Sequence, residues 1–153
     1  MAIGLLGVLS TAFLGFIAYR LSTTNQQYAA RRAIGDLHSE MARMRSEYPA
    51  IKSVCACWDD DHRIRMYDGG DSAAQDLFVR YEAHMDIGLE FCNTALGAWA
   101  RGVIHASDFT RQYRPLVHLF IGENWPFIRY CLDGPYISGF LRDEISAREA
   151  AGQ

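Results

Sequence analysis

The densest set of side chains able to do chemistry is Cys55-Ala56-Cys57-Trp58-Asp59-Asp60-Asp61-His62. Two thiolates and an imidazole are ligands for a soft metal ion. The spacing argues against that use. A Cys-x-Cys pair on a helix directs its side chains apart, and no second Cys or His cluster completes a four-ligand set. The pair also differs from the Cys-x-x-Cys of zinc knuckles and thioredoxin-like sites. An ordinary helix end followed by a solvated acidic loop is expected here, with a redox- or metal-responsive pair as the alternative. Cys92 and Cys131 sit in apolar contexts and read as small buried hydrophobes.

A second candidate is the carboxylate stripe Glu82, Asp86 and Glu90, with His84 nearby. Metal sites in helical bundles combine Glu with Glu-x-x-His pairs on facing helices. No Glu-x-x-His occurs in this chain, so the stripe reads as a solvated face or a partner for arginines. No G-x-S-x-G, H-E-x-x-H, Walker-type loop or dinucleotide fingerprint is present. Gly69-Gly70 lacks the Lys-Ser/Thr that would follow in a phosphate loop. These absences lead to a non-catalytic reading with no metal and no cofactor. The formal net charge of −3 argues against nucleic acid as a partner, because such binders present a basic face.

The elements that carry these residues are helical. Ala2 to Tyr19 contains no charged side chain and is rich in Leu, Ile, Phe, Val, Gly and Ala. With Leu21 it reaches the length that a bilayer core about 30 Å thick requires, roughly 17–25 residues. Arg20 can extend its guanidinium to the interface. The run ends in Phe16-Ile17-Ala18-Tyr19-Arg20, without the small residues of a signal cleavage site, so an uncleaved anchor over residues 1–21 is expected. Arg20, Arg31 and Arg32 flank it on the C-terminal side, against only the α-amino group on the other. That asymmetry places the N-terminus outside and the remaining chain in the cytoplasm, at a bacterial inner membrane. Gly7, Thr11 and Gly15 recur every four residues and would let a second membrane helix pack closely.

Residues 22–48 form a polar juxtamembrane helix with one apolar stripe, Ile34, Leu37, Met41, Met44 and Tyr48, ended by Pro49. The stripe allows this helix to continue directly from the anchor. Residues 49–148 read as one helical domain, and 149–153 as a frayed tail. Within the domain, a helix over Ala73–Arg101 buries Leu77, Phe78, Tyr81, Met85, Leu89, Cys92, Leu96 and Trp99 and stops at Gly102. Ser107 or Asp108 caps a helix to Ile121, interrupted by Pro115 and punctuated by Gly122. Further helices cover Pro126–Leu132 and the segment from Pro135 onward. No period-two run of β-branched residues suggests a strand. The fold class is all-α, an N-terminal transmembrane helix followed by a small helical bundle.

Aromatic residues concentrate in the last third, and Trp125, Phe127, Tyr130, Tyr136 and Phe140 are candidates for a partner-docking surface. Tyr81-Glu82, Gly102-Val103-Ile104, Trp125-Pro126-Phe127-Ile128 and Tyr136 together resemble a family of small, uncharacterised bacterial membrane proteins, over about residues 77–141. That resemblance implies one N-terminal span and a helical cytoplasmic domain, and it carries no activity. The expected role is a single-pass accessory or scaffold subunit, with the lipid bilayer and the subunits of a membrane complex as partners. A membrane-tethered sensor responding to redox state or metal through Cys55 and Cys57 is the alternative.

Overall fold

The computed structural model describes residues 2–51, 54, 72–132, 134 and 137–150; the side chains of residues 2–12 lie outside that set. Every regular element among the described residues is helical, so the all-α fold class holds. The first, α1, runs without interruption over Ala2–Glu47, 46 residues, or about 70 Å at roughly 1.5 Å per residue. No proline interrupts it, and the threonines that would weaken it are satisfied locally. Thr23 and Thr24 donate their hydroxyls to the carbonyls four residues back, each at 2.9 Å. Pro49 ends the helix by disfavouring a helical Tyr48, and the chain turns with Ile51 N–H donating to the Tyr48 carbonyl at 3.1 Å.

The second helix, α2 (Ser72–Ala100), packs antiparallel on the C-terminal half of α1. The register is visible in three contacts. Arg80 lies over the Tyr48 ring at 4.1 Å, His84 meets Arg45, and Phe91 meets the His38 ring at 5.9 Å. The expected stripe Ile34, Met41 and Met44 is buried here, with Leu37 and Tyr48 packed at its edge. Along α2 the expected apolar positions are buried from Phe78 to Leu96, while Trp99 remains 38% exposed. Gly102, at φ +69°, ends α2 as foreseen. Its N–H donates to the Trp99 carbonyl at 2.8 Å and the Val103 N–H to the Ala98 carbonyl at 2.9 Å, the paired bonds of a Schellman stop.

The next segment begins earlier than its sequence suggests. His105, not Ser107 or Asp108, caps α3 (Ala106–Asp108), its Nδ1 accepting from the Ser107 N–H at 3.3 Å. A π turn over Phe109–Tyr113 then leads into α4 (Arg114–Glu123). Pro115 explains the widened turn. Its ring would collide with the carbonyl four residues back in a regular α-helix, and it has no N–H to donate. Gly122 does not punctuate, since α4 continues to Glu123. The buried Asn124 makes the turn by donating Nδ2 to the Phe120 carbonyl at 2.8 Å, and α5 (Trp125–Cys131) follows with Pro126 in its first turn. The last helix, α6, covers Gly139–Ala150 rather than starting at Pro135. Ser138 caps it, its Oγ accepting from the Leu141 N–H at 3.3 Å and donating to Asn93 on α2 at 2.6 Å.

Helices α2 and α4 approach closely at Gly88. A Cβ on Gly88 would stand 2.0 Å from Cε2 of Phe120, whose ring is itself buried. Interiors packed to crystalline density leave such a ring nowhere to go. Gly88→Ala should therefore destabilise the protein by about 1–3 kcal/mol, the usual cost of overpacking. Thermal melts followed by circular dichroism should show Phe120→Leu recovering part of that loss in the double variant. Additive effects of the two substitutions would contradict the close approach.

Candidate functional site

Two polar clusters interrupt the apolar interior, and both depend on α4. In the first, Glu144 of α6 is 6% exposed and accepts two hydrogen bonds on the same oxygen. Arg114 Nε donates at 2.8 Å and His118 Nε2 at 2.6 Å. Burial pushes the Glu144 carboxyl up, but the hydrogen bonds from His118 and Arg114 together with their charge outweigh it and hold it below the ordinary carboxylate value. Arg148, one turn along α6, donates to the His118 carbonyl at 3.0 Å and rests against Gly122, where a side chain would crowd it. The cluster clamps α6 onto α4. An imidazole held by a carboxylate has the polarity of a general base, yet no hydroxyl or thiol among the described residues hydrogen-bonds to the His118 ring.

The second cluster joins α1, α2 and α4. His84 is 1% exposed, and Arg45 Nε approaches its Nε2 at 3.4 Å. With Nε2 as acceptor, Nδ1 carries the proton, and it has no hydrogen-bond partner among the described residues. Burial, followed by the Arg45 charge, pulls the imidazole down to about 4, with Glu123 opposing. Arg45 also pairs with Glu123 at 2.7 Å. A small cavity of about 130 Å³ lies between Arg45, Ile51, His84, Glu123 and Asn124. His84, beside a stripe expected to be a solvated face or a partner for arginines, is turned inward against Arg45. Among the described residues no group of three or more His, Cys, Asp or Glu side chains could hold a metal ion.

The remaining sequence candidates separate into different environments. Cys55, Cys57, His62 and Tyr136 lie outside the described residues. Cys92 is fully buried and burial raises its thiol far above the ordinary value; Cys131 is half-buried and raised, by burial first and then by the Asp86 charge. Both environments disfavour the thiolate that a nucleophile needs. Phe127 is a core residue, buried with its ring edge-on to Tyr81 at 5.7 Å, so it is withdrawn from any docking surface. Trp125 is half-buried against the core, while Tyr130 and Phe140 are exposed. The aromatic cluster thus divides between core and surface. Sequence alone could not assign the members, because they lie on short helices whose rotation is set by Asn124 and Ser138.

The other site is the N-terminal half of α1. No residue from Phe13 to Ala29 is buried, and packing against the domain begins at Ala30. Phe13, Leu14 and Tyr19 are each more than 60% exposed. Gly15 has no atom within 4 Å of where its Cβ would stand; the side chain of Thr11 and the position of Gly7 belong to the stretch whose side chains are outside the described set. Among the described residues no helix is long and apolar enough to cross a membrane, so the expected span gains no support from them. Most of that span, residues 2–12, lies outside the described side chains.

The two clusters act on stability in separate pH ranges. Neutral His84 is fully compatible with the fold above pH 6.5, and as the pH falls from there the unfolded chain binds a proton that folded His84 refuses until about pH 4. Stability is therefore lost across that window. Glu144, whose folded pKa is lowered, contributes stability above its ordinary 4.5 that is lost only as the pH falls below it. Urea unfolding at pH 7, 5.5 and 4.5 should show His84→Gln flattening the loss above pH 4.5. Glu144→Gln should lower stability at pH 7 by roughly 1–3 kcal/mol and leave that slope in place. An unchanged slope in His84→Gln would assign the acid sensitivity elsewhere. Comparison of the chain with protein-family models, with curated proteins and with solved structures gives no match.

Proposed function

We propose that this protein is a non-catalytic, single-pass membrane accessory subunit, with its N-terminus outside and its helical body at the cytoplasmic face of a bacterial inner membrane. The observation that carries the reading is the long helix shared between two environments. Its C-terminal half is a core element of the domain, and from Phe13 to Ala29 it buries no side chain against any described residue. Exposed Phe13, Leu14, Phe16, Ile17 and Leu21 on a continuous helix demand a cover of lipid or of another helix. The uncharged run Ala2–Tyr19 suits lipid, and Arg20 following it suits the interface. Gly7, Thr11 and Gly15 on that run suit a second membrane helix. The polar clusters support the non-catalytic part, since each is spent on joining helices.

The unbroken helix also supports a bracing role. A domain joined to its anchor by a flexible linker would tumble, whereas a rod that is itself a core element holds the body at a fixed distance and orientation.

Membrane fractionation of the full chain tests the anchor. The protein should remain in the pellet after alkaline carbonate extraction. Leu6→Arg with Leu14→Arg should release it, each arginine near the middle of a span costing about 2.5–3.5 kcal/mol. A wild-type chain in the carbonate supernatant would overturn the reading. Purification in mild detergent tests the subunit role. Stoichiometric membrane partners should accompany the wild type and be depleted by Gly7→Leu with Gly15→Leu, and a monodisperse free monomer would count against it.

A further inference from the structure

Among the described residues, Arg101 and Arg111, two arginines without an ion pair, lie at the end of the body nearest the free half of α1. The register of α1 on α2 runs from Tyr48 beside Arg80, through Arg45 beside His84, to His38 beside Phe91. Continued to the end of α2, it sets Trp99 and Ala100 level with Ala29 and Ala30. Two contacts agree. Arg31 pairs with Asp108 at 2.6 Å, and the Trp99 ring stacks on Phe109 at 4.6 Å, inclined by 4°. The end of α2, its stop at Gly102 and the π turn after Asp108 therefore form one cap around α1, at the point where the helix leaves the domain.

Arg32, Arg101 and Arg111 are exposed on this cap, as is His105, and Arg32 also faces Asp36 one turn along α1 at 3.8 Å. The Arg101 guanidinium folds back over Gly97, where a Cβ would stand 3.1 Å from it. Neither Arg101 nor Arg111 forms an ion pair with any described residue. Arg20 stands further out along α1, over the Phe16 ring at 5.8 Å. The described carboxylates are arranged the opposite way. Asp36 and Asp108 are near the cap, and Asp108 is held by Arg31. Those of α2 and the later part of α1 lie beyond His38, Glu123 sits at Arg45, and α6 carries its own from Ser138, beside Asn93, away toward Gly122. Among the described residues of a chain of net charge −3, this end thus presents two arginines, Arg101 and Arg111, that no carboxylate neutralises.

We infer that this cap, built on Arg101 and Arg111 with Arg32 and the half-exposed Trp99, is a docking surface for the anionic phospholipid headgroups of the leaflet that α1 enters. The inference rests on the membrane reading of α1 given above. Charge complementarity selects the occupant, and distance permits it. From Leu21, the end of the apolar run, to Ala30, where the body begins, is nine residues, roughly 13 Å of helix. Headgroups extend about 5–7 Å beyond the hydrocarbon core on each side. The cap then hovers within about one Debye length, near 8 Å at physiological salt, of the phosphates. Helix tilt of about 20° brings one side of it closer. Basic residues so placed are each worth about a fivefold gain in attachment to an anionic surface. The cap would fix which side of the α1 rod, and of the body rigidly joined to it, faces the lipid surface.

Hydrogen exchange on the full chain in lipid nanodiscs tests this, with discs of phosphatidylcholine alone and discs containing 30% phosphatidylglycerol, by roughly the anionic content that surface attraction needs. Amides of residues 101–113 should exchange several-fold more slowly on the anionic discs only. The protection should vanish in Arg101→Gln/Arg111→Gln and in high salt, and return in Arg101→Lys/Arg111→Lys, which a packing role for the guanidinium groups would not allow. Chain retained in both discs with equal exchange over 101–113 overturns the headgroup inference and leaves the anchor standing. Chain retained in neither disc overturns the anchor. In that case, sedimentation with phosphatidylglycerol vesicles decides the cap, since binding lost by roughly thirtyfold in the double Gln variant supports it and no binding ends it.

Discussion

The Phe120 ring can reach α2 only because residue 88 has no side chain, and the rest of the body follows from that contact. The approach brings α4 close enough to α2 for its two ends to reach other helices. At one end Arg114 and His118 find Glu144 of α6, and at the other Glu123 finds Arg45 of α1. A wider separation would leave those charges either solvated or buried without partners, and the second outcome costs several kcal/mol per group. The apolar notch thus has an electrostatic consequence. It decides which ionic groups are paired and hence which helices are held together.

The polar clusters are better understood as joints than as sites. Each contains residues of a catalytic type, a histidine with a carboxylate or an arginine, but the hydrogen bonds run between helices and close on themselves. Within these two clusters, Nδ1 of His84 has no hydrogen-bond partner among the described residues. Its price is the depressed basicity of the ring, which couples the fold to mild acid. Because α1 is a member of that joint, any shift of α1 relative to α2 and α4 changes the environment of His84 and of the Arg45–Glu123 pair together.

The distribution of surface properties follows the axis of α1. Among the described residues, apolar side chains stand exposed on its free half, two unpaired arginines lie at the cap where it leaves the domain, and most carboxylates lie toward the far end. Such a gradient matches the polarity of a membrane and its interface, and it places the groups that would meet lipid on the same end as the segment that would enter it. The coupling is mechanical as well as electrostatic, since one helix without a proline or a local break runs through all three zones.

Much of the layout was legible from one dimension. The length and apolar character of the opening run, the stripe from Ile34 to Tyr48, the stop imposed by Pro49 and the glycine at 102 all act within a few residues, where local sterics and hydrogen bonding decide the outcome. Pro115 announced an interruption for the same reason, though not that it would be a π turn. What remained hidden depends on contacts between residues far apart in the chain. His105 as a cap, the inward rotation of His84 onto Arg45, Glu144 as the buried acceptor, and the division of the aromatic cluster into buried Phe127 and exposed Tyr130 and Phe140 are set by which helix faces meet. The basic cap is the clearest case. Arg32, Arg101 and Arg111 are unremarkable in sequence, separated by tens of residues in an acidic chain, and only the antiparallel register of α1 and α2 brings them to one end.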